Sequence, residues 1–379
     1  MIEIGKFARN RFNGITIGIT GSSGKTSTNY LLSNALKKFG KTHRTFGNNN
    51  NIIGLSLTLS RLPNNYDFCV LELGMNNLGE IRELSKIAKP DIALITNVSS
   101  SHIENFKNEK EIAKAKSEIY LGLKRNGIAI INSDNIWKQF LITEAKKVNA
   151  KIHLYGSKKN SNTRIEKIID EKDGSTIFYD EIENWHLKYL NITQAENAIG
   201  TIAIIKELKL EPKKVHNLIS DLKPLSGRGE ILTINFSKNE KTFIIDDSYN
   251  ANPASMKAAL HNFNKLKLKL HKFETVIIIG DMLELGKHST KKHLELIPIL
   301  LKINPDLLLT LGNDTKKIID NLKLTLNCYS YYQIDELIID IKQFIKPNQI
   351  ILLKGSNGTG LWRLVSIFKD IIQENANAA

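Results

Sequence analysis

The stretch ITIGITGSSGKTSTNYLLSNAL, residues 15–36, restricts the possible fold more than any other. A short β-branched run leads into a glycine turn, and Lys25 and Thr26 then open a segment of helical apolar spacing that ends at Gly40. A strand that delivers a glycine loop to a helix N-terminus aims backbone N–H groups and the helix dipole at an anion. The loop misses the strict pattern G-x-x-x-x-G-K-[ST], because position 19 is Ile19, with Gly18 one residue too early and Gly21 two too late. Two readings stand at this point: a nucleotide site of another spacing, or a helix N-cap in a glycine-rich turn. In the first, Gly21 and Gly24 permit the turn, Lys25 reaches the terminal phosphates and the Thr26 hydroxyl holds Mg²⁺.

Strands and helices alternate through the first half. DFCVLELG (67–74), DIALITNV (91–98) and GIAIINSD read as strands, with LGEIRELSKIA and EIAKAKSEIYLGL (111–123) as helices between them. Repeated βα units of this kind build a parallel, doubly wound sheet. From about 151 to 190 the runs KIHLYG, TRIEKIID, STIFYDE and WHLKYL read as antiparallel strands, followed by helices near 194–209 and 212–222. LKPLSGRGE (222–230) gathers Pro224, Gly227 and Gly229 and is the domain boundary. TFIIDD, ETVIIIGD (274–281), DLLLTLG (306–312) and QIILLKG (349–355), with a helix near 253–266, then predict a second parallel sheet of five or six strands. The expected organisation is a lead-in over 1–13, a nucleotide-binding domain over 14–224 and a second α/β domain over 225–379.

At 379 residues, more than one core is expected. No apolar run approaches the roughly 20 residues of a spanning helix, and the N-terminus lacks the apolar core of a signal peptide, so cytoplasm is the expected location. Cys69 and Cys328 show no metal-ligand spacing and read as buried free thiols. The net charge of +14 raises the question of nucleic acid. The lysines are spread along the chain, no nucleic-acid-binding signature occurs, and KLKLKLHK (265–272) reads as a solvated helix end. A basic surface also steers polyanionic small substrates.

Four further segments carry chemistry only in combination. Glu72 ends a buried strand, where open α/β sheets bind ligands, and a carboxylate there can take a position on Mg²⁺. Its plainer role is pairing with a surface lysine. His102 in NVSSSHIENF reads alone as a loop histidine, Lys116 as a solvated helical charge, and GNNNNIIG (47–54) as a loop. In order, however, TGSSGKT, GNNNNIIG, ELGMNNLGEI, NVSSSHIENF, AKAKSEIY, GIAIINSD, QAENAIGTIA, LSGRGE, DDSYNANPASMKAAL, GDMLELG and LLKGSNG resemble the Mur ligases from about residue 14 onward. That family's phosphate loop is a compact T-G-x-x-G-K-[ST], which Thr20 to Thr26 matches in full.

The resemblance implies a P-loop-type, mostly parallel ATPase domain followed by a Rossmann-like one. It implies an amide ligase that activates a carboxylate with ATP and uses two Mg²⁺ ions.

 The branch matched best joins D-alanyl-D-alanine to a UDP-muramoyl-tripeptide, and those small molecules are then the substrates. Under this resemblance Gly21, Ser22, Ser23, Gly24, Lys25, Thr26 and Ser27 cradle the ATP phosphates. Thr26 and Glu72 fall on a first Mg²⁺ and His102 on a second, while Lys116 matches a carbamylated lysine whose added CO₂ makes it a metal-binding carboxylate. Lys25, His102 and Lys116 are the catalytic candidates. Asn197 falls on the adenine side, and Arg228, Asp246, Asp247, Tyr249 and Asn250 on the hinge and second-domain segments that close over the nucleotide. Asn48, Asn50 and Asn51 face the muramoyl-peptide, Lys354, Gly355 and Ser356 the incoming dipeptide, and Asn252, on the same second-domain segment as Tyr249, is a further substrate-binding candidate.

Two departures qualify the match. Thr193 and Gln194 stand where relatives often carry His-Asn. The family ligases also begin with a separate domain that grips the uridine diphosphate, whereas here the phosphate loop arrives at residue 21. An internal start, a partner that supplies the domain, or a substrate without a nucleotide handle are the alternatives. The rival activities are a ligase for another carboxylate and amine, of folate or polyglutamate type, and an inactive ATP-binding remnant.

Overall fold

The structure is a computed structural model that describes residues 1–171, 174–180, 183–188 and 192–378. The chain divides into two compact units, Met1–Leu222 and Lys223–Ala379.

The first unit runs α1 (Ile2–Arg11), β1 (Ile15–Thr20), α2 (Lys25–Leu36), β2 (Thr42–Arg44), α3 (Ile52–Ser60), β3 (Phe68–Glu72), α4 (Glu80–Ala88), β4 (Ile92–Ile95) and α5 (Glu109–Ser117). It continues through β5 (Ile128–Asn132), α6 (Lys138–Lys147), β6 (Lys151–Gly156), β7 (Thr163–Glu171), β8 (Gly174–Tyr179), β9 (Glu183–Lys188), α7 (Ile192–Glu207) and α8 (Lys213–Asp221). Among the described residues nine strands form one sheet in the order β2-β3-β1-β4-β5-β6-β7-β8-β9. Strand β1 lies between β3 and β4, parallel to both. Ile17 and Ile19 of β1, Val70 of β3 and Leu94 of β4 are buried in one core with Leu32, Ala35 and Leu36 of α2. Such continuous apolar strands suit a sheet covered on both faces.

The strand Lys151–Gly156, expected to be antiparallel, instead pairs parallel with β5. The reason is α6, a helix the apolar pattern does not announce, which supplies the crossover a parallel pair requires. The pairing of β6 with β7 is also parallel, while β7–β8 and β8–β9 are antiparallel as expected. Residue 181 of STIFYDE and residues 189–190 of WHLKYL lie outside the described residues.

The expected lead-in contains a packed helix. Arg9 of α1 is 3% exposed, and its guanidinium donates to Phe12 O at 3.2 Å and, at the end of α4, to Ala88 O and, at 2.7 Å, Lys89 O. These are carbonyls that a helix end leaves without an internal partner. Arg9→Ala is expected to lower unfolding stability by about 2–4 kcal/mol, since it strands buried acceptors of charge-assisted bonds. Urea unfolding checks this, and a change within about 0.5 kcal/mol would show the contacts to be incidental.

The second unit comprises β10 (Glu230–Asn235), β11 (Lys241–Asp247), α9 (Pro253–Lys269), β12 (Glu274–Gly280), α10 (Ser289–Leu294), α11 (Ile297–Ile303) and β13 (Leu307–Leu311). After these come α12 (Asn313–Leu322), β14 (Cys328–Tyr331), α13 (Ile334–Phe344), β15 (Gln349–Lys354) and α14 (Trp362–Ala378). Its strand order is β10-β11-β15-β12-β13-β14. The sheet is parallel except for β10, which pairs antiparallel with β11. Residues 236–240 between those two strands close as a hairpin, with Phe236 N donating to Glu240 O at 2.9 Å, and leave no room for a crossover. Cys69 is buried and Cys328 half-buried, and both are free thiols.

Candidate active site

At the carboxyl end of the first sheet, β1 runs into Gly21–Gly24 and then α2. Gly24 has φ +81°, and a Cβ there would stand 2.5 Å from Asn197 Oδ1. Gly21 is at φ +156°, where a Cβ would run into the Thr96 hydroxyl. Both positions therefore require glycine. Gly24 is also the N-cap of α2, so no side chain caps the helix, and its first turn holds no acidic residue. Helix amides without a capping side chain, at the positive end of a dipole, suit an anion.

The loop after β4 braces this glycine loop. Asn97 accepts from Ser22 N through its backbone carbonyl at 3.0 Å and from Ser23 N through Oδ1 at 2.9 Å, and its Nδ2 donates to Ser23 Oγ at 2.6 Å. Ser22 Oγ donates to Ser99 O and accepts from Ser99 N, each at 2.9 Å. Thr96 Oγ1 donates to Ser23 O at 2.6 Å. Thr96, Asn97 and Ser99 were not singled out from the sequence; the only signal was their place just after a buried strand. Lys25 Nζ donates to Gly21 O at 2.7 Å, while Thr26 and Ser27 sit half-buried on the first turn of α2.

Glu72 is brought to this end of the sheet by its register opposite Ile19. It is 2% exposed and accepts from Asn50 Nδ2 at 3.0 Å, in place of the surface lysine that a strand-end carboxylate would ordinarily meet. Asn51 is committed to the fold as N-cap of α3, accepting from Gly54 N at 2.9 Å, and Asn48 is exposed. Asn197, on α7, is 6% exposed and lies against Gly24. The side chain of Thr193 lies outside the described residues.

Lys116 is 1% exposed, so it is no solvated helical charge. Among the described residues no carboxylate pairs with it, and burial, with a smaller contribution from the charge of Lys25, holds its pKa well below the usual lysine value. A buried amine with that bias is neutral, and hence nucleophilic, at a pH where a surface lysine is charged. His102 stands on the turn after β4 in the left-handed conformation, φ 56°. It lies within electrostatic range of Glu80, whose carboxyl is held below its usual value chiefly by hydrogen bonds from the Asn76 backbone and from Asn77, against the opposing effect of burial. Among the described residues no three His, Cys, Asp or Glu side chains gather as a ready-made metal cluster. Any cation here has to draw on other donors as well.

In the second unit the predicted residues form two tight groups. Asp246, 1% exposed, accepts from Gly227 N at 2.7 Å through Oδ2 and from Ser248 Oγ at 2.6 Å through Oδ1. It thereby ties the turn carrying Arg228 to the segment carrying Tyr249, and the Arg228 guanidinium lies 4.0 Å from the Tyr249 ring centroid. Lys354, 2% exposed, pairs with Asp247 at 2.8 Å and donates to Asn250 O at 3.0 Å. Gly355 leads to Ser356, which accepts from Leu283 N at 2.9 Å and donates to Ala251 O at 3.3 Å. Asn252 is the N-cap of α9, in a capping box with Ser255. Asp281 of GDMLELG is likewise structural, accepting from Thr315 N and Oγ1 at 2.8 Å at the start of α12.

A mostly parallel sheet with a glycine loop at a helix N-terminus, followed by a second α/β unit, is the architecture of a nucleotide-dependent enzyme. The family models agree: residues 19–205 match the Mur ligase middle domain and residues 227–357 the Mur ligase, glutamate ligase domain. Two relatives are named UDP-N-acetylmuramoyl-tripeptide–D-alanyl-D-alanine ligase. The one from Buchnera aphidicola subsp. Baizongia pistaciae is 37% identical over 98% of this chain and 79% of its own length. That from Rickettsia prowazekii is 33% identical over 93% of this chain and 78% of its own. Among solved structures, the MurF ligase of Thermotoga maritima in complex with ADP superposes with a TM-score of 0.81 at 25% identity, covering 98% of this chain and 84% of that one. The chain belongs to the Mur ligase family.

Proposed function

We propose that this protein is a cytosolic ligase that joins D-alanyl-D-alanine to a UDP-N-acetylmuramoyl-tripeptide at the expense of ATP, in the synthesis of peptidoglycan precursors. The observation that carries the substrate assignment is the shared activity named for both relatives, which align along 93% and 98% of this chain. The chemistry follows from the need to make an amide from an unreactive carboxylate in water. The substrate carboxylate attacks the γ-phosphorus of ATP and ADP leaves, giving an acyl phosphate. The dipeptide amine then attacks the acyl carbon, inorganic phosphate departs, and the amine loses its proton.

The loop amides from Ser22 to Thr26 and the Lys25 ammonium hold the phosphates and offset their charge, so that a second anion can approach in line. For this Lys25 has to exchange its bond to Gly21 O for a phosphate oxygen. The buried Glu72, with a single hydrogen bond to its carboxylate among the described residues, retains acceptor capacity for a divalent cation. Thr26 would share that ion, and His102 with a carbamylated Lys116 would hold a second. Bound Mg²⁺ would supply Lewis-acid stabilisation of the phosphoryl oxygens. The charge of Lys25 that disfavours an ammonium on Lys116 would favour a carbamate anion there. In the second unit, Arg228 and Tyr249 would serve the nucleotide, and Lys354 and Ser356 the dipeptide.

The test is phosphate release in mixtures that omit one component at a time. Release is expected only with ATP, the muramoyl-tripeptide and D-alanyl-D-alanine together. Equal release with glutamate and a folate in place of these substrates would favour the alternative ligase.

A further inference from the structure

We propose that Arg44 is an anion-recognising residue for the muramoyl-peptide, gripping an oxyanion of that substrate beside the asparagine loop. This rests on the ligase reading above. Arg44 closes β2, and its guanidinium carbon lies 4.5 Å from the Phe46 ring centroid and 5.4 Å from that of Tyr30. Two aromatic rings therefore orient one cation. Nη1 donates to Asn29 Oδ1 at 3.4 Å. Asn29 is itself 1% exposed and fixed by its Nδ2 donating to Val70 O at 3.1 Å.

Among the described residues no carboxylate pairs with Arg44, so most of its five N–H donors remain available. A half-buried guanidinium held in position, with no acid to neutralise it, suits forked recognition of phosphate or carboxylate. Its place is also specific. The next residue, Thr45, accepts from Glu72 N at 3.1 Å, and Phe46, 59% exposed, opens the loop carrying Asn48, Asn50 and Asn51. Tyr30 lies on α2 about 7–8 Å of helical rise beyond Lys25. The UDP-muramoyl-peptide carries two kinds of oxyanion, its diphosphate and its peptide carboxylates.

Calorimetric titration with UDP-muramoyl-tripeptide, and separately with muramoyl-tripeptide lacking the nucleotide, reads binding without requiring turnover. Arg44→Gln keeps a planar, stackable amide without the charge, and Arg44→Lys keeps the charge without the fork. Arg44→Gln is expected to weaken UDP-muramoyl-tripeptide binding by roughly 10- to 100-fold, with partial recovery in Arg44→Lys. ADP affinity and the thermal midpoint should stay unchanged, a result that a purely structural role would not give. An effect confined to the UDP-bearing ligand assigns the diphosphate, and one seen with both ligands assigns a carboxylate. Arg44→Gln binding within twofold of wild type overturns the proposal and leaves the ligase reading intact. A wild-type protein that binds neither ligand overturns both.

Discussion

Lys25→Ala is expected to reduce kcat/KM for amide formation by roughly 10²–10³, with the fold intact. Lys25 is half-buried and donates to Gly21 O, so truncation removes a charge without emptying a core. The ammonium matters most as negative charge gathers between the γ-phosphate and the attacking carboxylate. The loss should therefore appear in kcat more than in the KM for ATP. Steady-state phosphate release with all three substrates measures it. A Lys25→Ala enzyme within fivefold of wild type would remove this lysine from the chemistry.

Lys116→Ala is expected to cost about 100-fold or more in kcat, the scale reached when support of a metal site is lost. Its distinguishing signature is spectroscopic. Wild-type protein incubated with ¹³C-bicarbonate should show a carbamate carbon resonance that Lys116→Ala lacks. Activity of the wild type should also fall when CO₂ is removed. The pKa bias sets the direction with pH: burial lowers the lysine pKa, which enlarges the neutral, CO₂-reactive fraction at neutral pH, and acidification depletes it. A wild-type enzyme indifferent to CO₂, with no carbamate signal, would leave Lys116 as a neutral buried amine.

The strand–glycine loop–helix geometry was legible because its constraint is local: a strand, two glycines and Lys-Thr within a dozen residues. Glu72 was legible for a similar reason, since the end of a buried strand places it at the carboxyl edge of the sheet. Lys116 was less so. Read by charge it belongs on a solvated face, yet Ile112, Lys116 and Tyr120 recur every four residues and all are buried. That spacing was the available signal. Arg9 gave none, because its partners lie 79 and 80 residues away at the end of α4. Helix α6 escaped notice since Lys138–Lys147 mixes charges with few apolar residues and its N-cap, Trp137, makes no side-chain cap bond. The stacking of Arg44 on Tyr30 and Phe46 depends on a β-strand meeting a helix, a tertiary fact that periodicity does not encode.

Activation of a peptide carboxylate as an acyl phosphate, and its transfer to D-alanyl-D-alanine, would leave an isotopic trace. The most direct measurement uses UDP-muramoyl-tripeptide labelled with ¹⁸O in its reacting carboxylate, with ATP and the dipeptide. The attacking carboxylate oxygen becomes the bridge to phosphorus and departs with it when the amine attacks. The predicted result is one labelled oxygen in the inorganic phosphate for each amide formed. Unlabelled phosphate, or phosphate released without amide, would contradict an acyl-phosphate route to this amide.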